Sequence, residues 1–185
     1  DPLWSRGLGD VYKRQEIKRD IHLIGYWQSY KYISQLQAQL RSIFQTKLPL
    51  SSHYQEYLKS IITTDSTMLH IRRGDYIESK SANSYHKPLE LSYYLDALKK
   101  IHQLRPETHF FIFSDDLIWA KEVLPKKTSI TFIENLNSPE AAAQELQLMT
   151  CCKNHIIANS SLSWWGAWLK KNSDGIVYTP NRWVR

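Results

Sequence analysis

Short apolar runs alternate with amphipathic stretches from about residue 66 to the end of the chain. Strands are expected at 67–71, 109–113, 130–133, 155–158 and 175–178. Helices are expected between them at 92–104, in a short stretch ending at 124, from 138 to about 151, and at 161–170. A turn and a polar loop are expected after the first strand, as far as Pro88. This alternation predicts a parallel sheet covered by helices on both faces. The expected fold class is therefore α/β, with a Rossmann-like sheet.

The part of the chain before the first strand follows a different pattern. From residue 30 to residue 44 apolar side chains recur at helical spacing, and Pro49 and the serines after it end the pattern: Ile33, Leu36, Leu40 and Ile43. Residues 1–15 show neither period and are expected to be a non-native or unstructured tail. We therefore expect a tail at 1–15, a helical connecting segment at 16–64 and a sheet domain at 65–185.

Composition is typical of a folded globular chain. The 185 residues are 42% hydrophobic and 23% charged, and no apolar run is long enough to span a membrane. No signal peptide is visible. The net charge of +6 indicates a solvated basic surface, or attraction to an anionic ligand or membrane face. No block of five like charges appears, which argues against a nucleic-acid arm.

The chain has two cysteines, Cys151 and Cys152, and they are adjacent. No Cys/His pair lies at zinc-binding spacing. We interpret both as small apolar residues at a helix end in a reducing compartment.

Two arginines follow the first expected strand. Arg72 and Arg73 come directly after Ile71 and should point in different directions as the chain leaves the sheet. One guanidinium can bind two phosphate oxygens through parallel N–H groups, while the other can pair with a carboxylate and hold the loop. Gly74 allows the backbone to turn or to approach a ligand closely. The alternative is a surface Arg–Asp turn without a ligand.

A hydroxyl-rich turn follows the strand expected at 155–158. Ser160, Ser161 and Ser163 lie where the next helix should begin. Free N–H groups and the positive end of the helix dipole make such a place an anion site, and simple capping by one serine is compatible with that role. Carboxyl ends of parallel strands share one edge of the sheet. Together with the arginines, these serines predict a diphosphate site there.

Other residues have open roles. Asp115 and Asp116 follow a very apolar strand and could bind a metal, a base edge or ribose hydroxyls; no third metal ligand stands out. His70 is either a core histidine or adjacent to a ligand. The tryptophans of the last helix are more often core residues than sugar-stacking platforms: Trp164, Trp165 and Trp168.

Three stretches together resemble the bacterial α-1,2-fucosyltransferases of glycosyltransferase family 11. They are HIRRGDY at 70–76, FSDD at 113–116 and IANSSLSWWGAWL at 157–169. GYWQSYKY at 25–32 is similar to the segment before the first motif, and PNRW at 180–183 to the closing motif. The resemblance covers roughly residues 16–185.

The resemblance implies a GT-B-type enzyme that transfers L-fucose from GDP-β-L-fucose to the 2-hydroxyl of a terminal galactose in a glycan. It implies inversion at the anomeric carbon, no cofactor and no metal. Arg72 would neutralise the β-phosphate, and Arg73 would support the loop or the donor. His70 and one of Asp115 and Asp116 would contact the nucleoside. Ser161 and Ser163 of the last motif would contact the diphosphate. Asn159 and Ser160 would be further substrate-binding residues of that motif.

The family's N-terminal glycine-rich loop has no counterpart in this chain. The resemblance therefore implies the donor-binding C-terminal half, preceded by a remnant of the N-terminal domain at 16–64. Asp75 is our choice for the general base, although it could equally hold Arg73. Alternatives are a transferase for another nucleotide sugar and a non-catalytic GDP- or glycan-binding fragment. We expect a cytoplasmic protein, at the inner face of the membrane if it is peripheral, and no nucleic-acid partner.

Overall fold

The computed structural model describes residues 29–44, 49–78, 87–126 and 128–183, without the side chains of Asp75 and Glu78. The strands are β1 (Asp65–Ile71), β2 (Thr108–Ser114), β3 (Ile130–Phe132), β4 (Asn154–Ile156) and β5 (Val177–Tyr178). The helices are α1 (Tyr30–Ile33), α2 (Gln37–Ile43), α3 (Ser52–Thr63), α4 (Gly74–Glu78), α5 (Leu91–Leu104), α6 (Leu117–Val123), α7 (Ala141–Cys151) and α8 (Ser161–Trp168), with a 3-10 turn at Ser34–Leu36.

The strands form one five-stranded sheet in the order β3-β2-β1-β4-β5. Every neighbouring pair is parallel, and β1 pairs with β2 on one side and with β4 on the other. The predicted parallel α/β sheet is therefore confirmed. The chain moves outward from β1 to β3 in one direction and from β4 to β5 in the other. The crevice between the carboxyl ends of β1 and β4 is thus the switch point, where open α/β sheets bind ligands.

Both faces of the sheet are covered, as the continuous burial of its central strands requires. On one face α3 and α7 pack on β1 and β2 through fully buried side chains, including Tyr54, Met68 and Phe111. On the other face α5 and α6 pack through side chains including Tyr94 and Ile112. Burying one large apolar side chain of this kind contributes roughly 1.5–3 kcal/mol. These two layers hold the strand ends rigidly in place.

Tyr93 and Gly175 hold the edge of the sheet that β4 and β5 form. The Tyr93 hydroxyl on α5 donates to the Ile157 carbonyl oxygen at 2.7 Å, and it lies 3.4 Å from the Tyr178 carbonyl oxygen. It therefore joins the ends of β4 and β5. Gly175 precedes β5 where the chain passes the Lys153 backbone, and a Cβ atom there would overlap the Lys153 carbonyl oxygen. Only glycine fits this approach.

Several predicted boundaries were wrong. The 30–44 helix is interrupted by the 3-10 turn, and Ile43 on its expected apolar face is 73% exposed. The helix α5 ends at Leu104 as predicted, although Leu104 lies beyond the edge of the core and is 65% exposed. The helix expected from Ser138 begins at Ala141, because Ser138 instead accepts the Ala141 N–H through its carbonyl oxygen in a preceding turn.

The last predicted helix also ends early, at Trp168. There the Arg41 guanidinium donates to the carbonyl oxygens of the residues at and after the helix end: Trp168, Leu169 and Lys170. A side chain that satisfies these carbonyl groups removes the need for another helical turn. β4 and β5 are likewise shorter than predicted, and α4 was predicted to be loop.

The predicted tail at 1–15 lies outside the described residues, as does 16–28 of the predicted connecting segment. α3, from the later part of that segment, packs against α7 and β1 through Tyr54 and Ile61. The domain boundaries stay a prediction. Among the described helices, none is both long and apolar enough to cross a membrane.

Candidate functional site

The motifs singled out in the sequence follow the carboxyl ends of β2, β1 and β4, which are neighbours in the sheet. Residue 71 pairs with residue 114 in the register of β1 and β2, so the arginines and the aspartates leave the sheet side by side. The chain after β4 leaves from the other side of β1. The sheet therefore places the predicted site residues around one crevice.

Asp115 holds the turn between β1 and α4. Its carboxylate accepts the backbone N–H groups of Arg73 at 2.9 Å and Gly74 at 3.0 Å. The same carboxylate lies 3.3 Å from Nη1 of Arg72. A Cβ atom on Gly74 would lie 3.1 Å from the Asp115 carboxylate, so glycine permits this close approach. Asp115 therefore caps α4 and orients Arg72 at once.

Arg73 turns away from Arg72 and is held by other groups. Its Nε atom lies 3.4 Å from the Asp116 carboxylate, and its guanidinium lies 3.8 Å from the centre of the Trp119 ring. Asp116 in turn caps α6 by accepting the Trp119 N–H at 3.1 Å. This arrangement combines an ion pair with a cation–π contact. Arg72 and Arg73 thus each pair with a carboxylate, and which of them binds phosphate stays a prediction.

His70 is buried near the end of β1, two residues before Arg72. Burial, reinforced by the neighbouring Arg72 charge, lowers the pKa of His70 to about 3. The imidazole is therefore neutral at physiological pH. Its Nδ1 atom has no hydrogen-bond partner within the described part of the chain. A neutral ring with an unused nitrogen can exchange a hydrogen bond with a ligand.

The turn between β4 and α8 is pinned by side chains from several elements. The buried Ser163 hydroxyl accepts the Ala158 N–H at 2.9 Å. The Asn159 amide nitrogen donates to the carbonyl oxygens of Lys87 and Trp183, at 3.1 and 3.4 Å. These bonds give Ser163 and Asn159 roles in shaping the turn; their predicted donor contacts stay a prediction.

The first turn of α8 differs from that of α4. Its N-cap residue, Ser160, has an extended backbone, and its side chain makes no capping hydrogen bond. Ser161 begins the helix and is exposed. No side chain among the described residues accepts the first N–H groups of this helix. The first turn is thus available to an anion.

Asp75, the predicted base, lies within α4 by its backbone. Its side chain is outside the described part of the structure. The role of Asp75 therefore stays a prediction.

The three tryptophans of α8 form a half-buried cluster at its far end, and the prediction that they belong to the core was wrong. They contact one another at centroid distances between 4.9 and 6.2 Å. Phe44 lies 4.4 Å from Trp165, and the Arg41 guanidinium lies 5.3 Å from the Trp168 ring. Trp165 and Trp168 thus contact the 30–44 segment.

The cysteines behave as expected of structural residues. Both thiols are free, and burial raises the pKa of Cys152 well above its usual value. Within the described ranges, no group of three or more histidine, cysteine, aspartate or glutamate side chains is placed to hold a metal ion.

Sequence reasoning missed two aromatic residues at the site. Trp119 stacks on Arg73, and Tyr76 donates from its hydroxyl to the Asn159 carbonyl oxygen at 2.9 Å. Tyr76 lies inside the HIRRGDY motif, and a large aromatic side chain directly after the turn could have indicated a residue of the site. Trp119 carries no such signal, because its partner lies on another strand end.

The arrangement combines two kinds of positive group around one crevice. The arginine side chains are oriented by carboxylates, and the first turn of α8 supplies backbone N–H groups. Such a combination can bind a ligand with two anionic groups, since side-chain cations and a helix start meet it from different elements.

The family model described as Glycosyl transferase family 11 matches residues 11–184. Alpha-1,2-colitosyltransferase of Escherichia coli is 37% identical over 171 residues, which is 90% of this chain and 57% of that protein. O-antigen biosynthesis glycosyltransferase WbnK of Escherichia coli is 36% identical over 172 residues, which is 91% of this chain and 57% of that protein. The chain thus spans between half and two thirds of the length of these curated relatives.

A crystal structure of POFUT1 in complex with GDP has a TM-score of 0.51 to this chain, at 12% identity. The match covers 80% of this chain and 50% of that one. At this identity the likeness concerns the fold, which agrees with the parallel sheet described above. The family model covers nearly the whole sequence, and the bacterial relatives match it over most of its length. The chain belongs to glycosyltransferase family 11.

Proposed function

We propose that this chain forms the donor-binding half of an α-1,2-fucosyltransferase. The reaction transfers L-fucose from GDP-β-L-fucose to the 2-hydroxyl of a terminal galactose in a glycan, with inversion at the anomeric carbon. The observation that carries the proposal is the convergence of Arg72 and the uncapped start of α8 on one crevice, in a chain of this family.

The chemistry of the transfer explains why these groups are needed. The sugar–phosphate bond breaks through a state in which negative charge grows on the departing diphosphate. Oriented donors and cations that meet this charge lower the barrier. Arg72 offers a planar fork of N–H groups to the β-phosphate, and Asp115 keeps that fork oriented. The N–H groups of α8, with the Ser160 and Ser161 hydroxyls, provide the second contact. We propose that no metal or other cofactor takes part.

The nucleoside contacts are proposed from the same geometry. His70 is neutral and has an unused nitrogen, so it can bond a base edge. Asp115 and Asp116 already accept backbone N–H groups from the protein. A carboxylate oxygen accepts more than one hydrogen bond, so either aspartate can contact the nucleoside while it keeps its protein partners. Asp75 is proposed as the base that deprotonates the acceptor hydroxyl.

A second donor follows from the relatives. One of the two bacterial proteins is named a colitosyltransferase, at 37% identity. Colitose differs from L-fucose by the absence of the 3-hydroxyl. The same diphosphate site would serve both donors, so GDP-colitose is the alternative. The other relative is named for O-antigen biosynthesis, which supports a surface glycan as acceptor. We propose that this glycan ends in galactose. We propose action in the cytoplasm, at the inner face of the membrane if the basic surface binds anionic lipid.

The proposal is tested in two steps on this chain. Calorimetric titration with GDP and with GMP, in EDTA, should show clearly tighter binding of GDP, because only GDP carries the β-phosphate. Incubation with lactose and either GDP-fucose or GDP-colitose, followed by mass spectrometry, then identifies the donor.

Each outcome of the two steps has a stated meaning. Equal affinity for GDP and GMP in a folded sample would contradict the diphosphate site. Selective GDP binding without product would support the non-catalytic alternative for this chain.

A further inference from the structure

One side chain connects the two halves of the proposed diphosphate site. Tyr76 is buried, and its ring centre lies 5.9 Å from the Arg72 guanidinium carbon. Its hydroxyl donates to the Asn159 carbonyl oxygen at 2.9 Å. Arg72 belongs to the turn after β1, and Asn159 to the turn after β4. Tyr76 therefore spans the switch point between them.

We propose that Tyr76 is a positioning residue that fixes Arg72 relative to the first turn of α8. This inference rests on the proposed function, because it assumes that both groups bind one diphosphate. In the proposed reaction Tyr76 contacts neither the sugar carbon nor the phosphate oxygen of the bond that breaks. It acts through Arg72 on one side and through the Asn159 backbone on the other.

The position of the accepted hydrogen bond explains the effect. The Asn159 carbonyl belongs to the peptide group that leads into Ser160, the N-cap residue of α8. Holding this peptide group sets the direction of the N–H groups that follow. On the opposite side, the Arg72 guanidinium contacts both the Tyr76 ring, at 5.9 Å from its centre, and the Asp115 carboxylate, at 3.3 Å. One rigid aromatic side chain thus sets the separation of two anion-binding groups.

If Tyr76 only filled the core, its hydroxyl group would not be needed. Phenylalanine fills the same volume and keeps the ring beside Arg72, but it cannot donate to Asn159. Tyr76→Phe therefore separates the link from the packing. The matched control is Tyr93→Phe, which removes a hydroxyl that donates to Ile157 in the same connection at 2.7 Å. Its hydroxyl holds the strand ends rather than the helix start.

The experiment measures GDP and GMP affinities of this chain and of both variants by calorimetry. GMP is the internal reference, because general damage to the fold weakens both ligands. We expect Tyr76→Phe to lower the GDP-to-GMP affinity ratio about tenfold, which equals about 1.4 kcal/mol, the size of one net hydrogen bond. We expect Tyr93→Phe to leave the ratio unchanged. An unchanged ratio in Tyr76→Phe, or an equal loss in both variants, would overturn the inference.

A measurement without ligand separates this inference from the proposed function. Hydrogen–deuterium exchange should be faster in Tyr76→Phe in both 70–78 and 158–163, since the hydroxyl joins these segments. In Tyr93→Phe the 70–78 segment should keep its wild-type exchange. If wild type shows no preference for GDP, the proposed function fails, and the exchange pattern still decides whether Tyr76 links the two segments. Faster exchange confined to one segment would show that it does not.

Discussion

The helices that follow β1 and β4 begin in different ways, although each starts at the same edge of the sheet. The first N–H groups of α4 are occupied by the chain's own Asp115 carboxylate. In the described part of the chain no side chain caps the first turn of α8, and Ser163 near its start accepts the Ala158 N–H instead. The protein thus satisfies one helix start internally, and we propose that a ligand satisfies the other. The turn after β1 contributes side-chain cations, and the start of α8 contributes backbone N–H groups.

The largest expected effect concerns the strands that lead to these helices. β1 and β4 each carry one buried histidine, and burial lowers the pKa of His70 to about 3 and of His155 to about 4. Both lie below the unfolded value of 6.5, so the unfolded state binds more protons as the pH falls below 6.5. The contribution of the two neutral histidines to the free energy of unfolding is therefore fully present above pH 6.5. It falls by about 1.4 kcal/mol per pH unit for each histidine as the pH drops toward the folded pKa.

Urea denaturation between pH 7 and pH 5 measures this slope. His70→Gln and His155→Gln should each reduce the slope by the contribution of one proton, whatever they do to stability at neutral pH. Such a result would show that both strand ends depend on a neutral imidazole. Identical slopes in wild type and in both variants would contradict the assignment.

Asp115→Ala tests the internally capped helix start. The variant loses the acceptor of two backbone N–H groups and the partner of Arg72. We expect a loss of about 2–3 kcal/mol in the free energy of unfolding, measured by urea denaturation. Asp174→Ala is the control, since Asp174 is exposed and its carboxylate accepts from the adjacent Ser173 hydroxyl. A loss in Asp115→Ala no greater than in the control would show that the carboxylate does not stabilise α4.

Arg72→Lys and Arg73→Lys test whether Arg72 binds the ligand while Arg73 stabilises the loop. Lysine keeps the charge but cannot present two parallel N–H groups. Arg72→Lys should weaken GDP binding about tenfold, the loss of one hydrogen bond, with little change in stability. Arg73→Lys should lose the stacking on Trp119 and lower stability by about 1 kcal/mol while GDP binding changes less. Calorimetry and urea denaturation on both variants decide, and equal effects on binding would contradict separate roles.

Much of this site was predictable because local pattern and sheet topology agree. The apolar runs that became β1 and β2 were read from residue type alone, and α5 from its helical period. Once the strands are parallel, Arg72, Asp115 and Ser160 must leave at the same edge. The adjacency of the motifs therefore followed from a general rule rather than from any residue contact.

The partners within the site were not predictable, because they depend on tertiary packing. Nothing local indicates that Asp115 caps a helix on another segment, or that Trp119 stacks on Arg73. α4 was expected to be loop, since its five residues are too few to show a helical period. The tryptophans of α8 read as core because residue type reports apolar area, whereas their partners on the 30–44 segment are set by the fold.

Ser160→Ala has the smallest expected effect and tests the open helix start most directly. An N-cap serine that caps its helix loses about 1 kcal/mol on replacement by alanine. Ser160 occupies the N-cap position of α8, but its side chain makes no capping bond, so the free energy of unfolding should stay within about 0.5 kcal/mol of wild type. GDP binding should fall, because in the proposed site the hydroxyl contacts the ligand rather than the helix. A full capping loss in urea denaturation, with GDP affinity unchanged, would show that the serine caps α8 in solution. The difference between the two helix starts would then disappear.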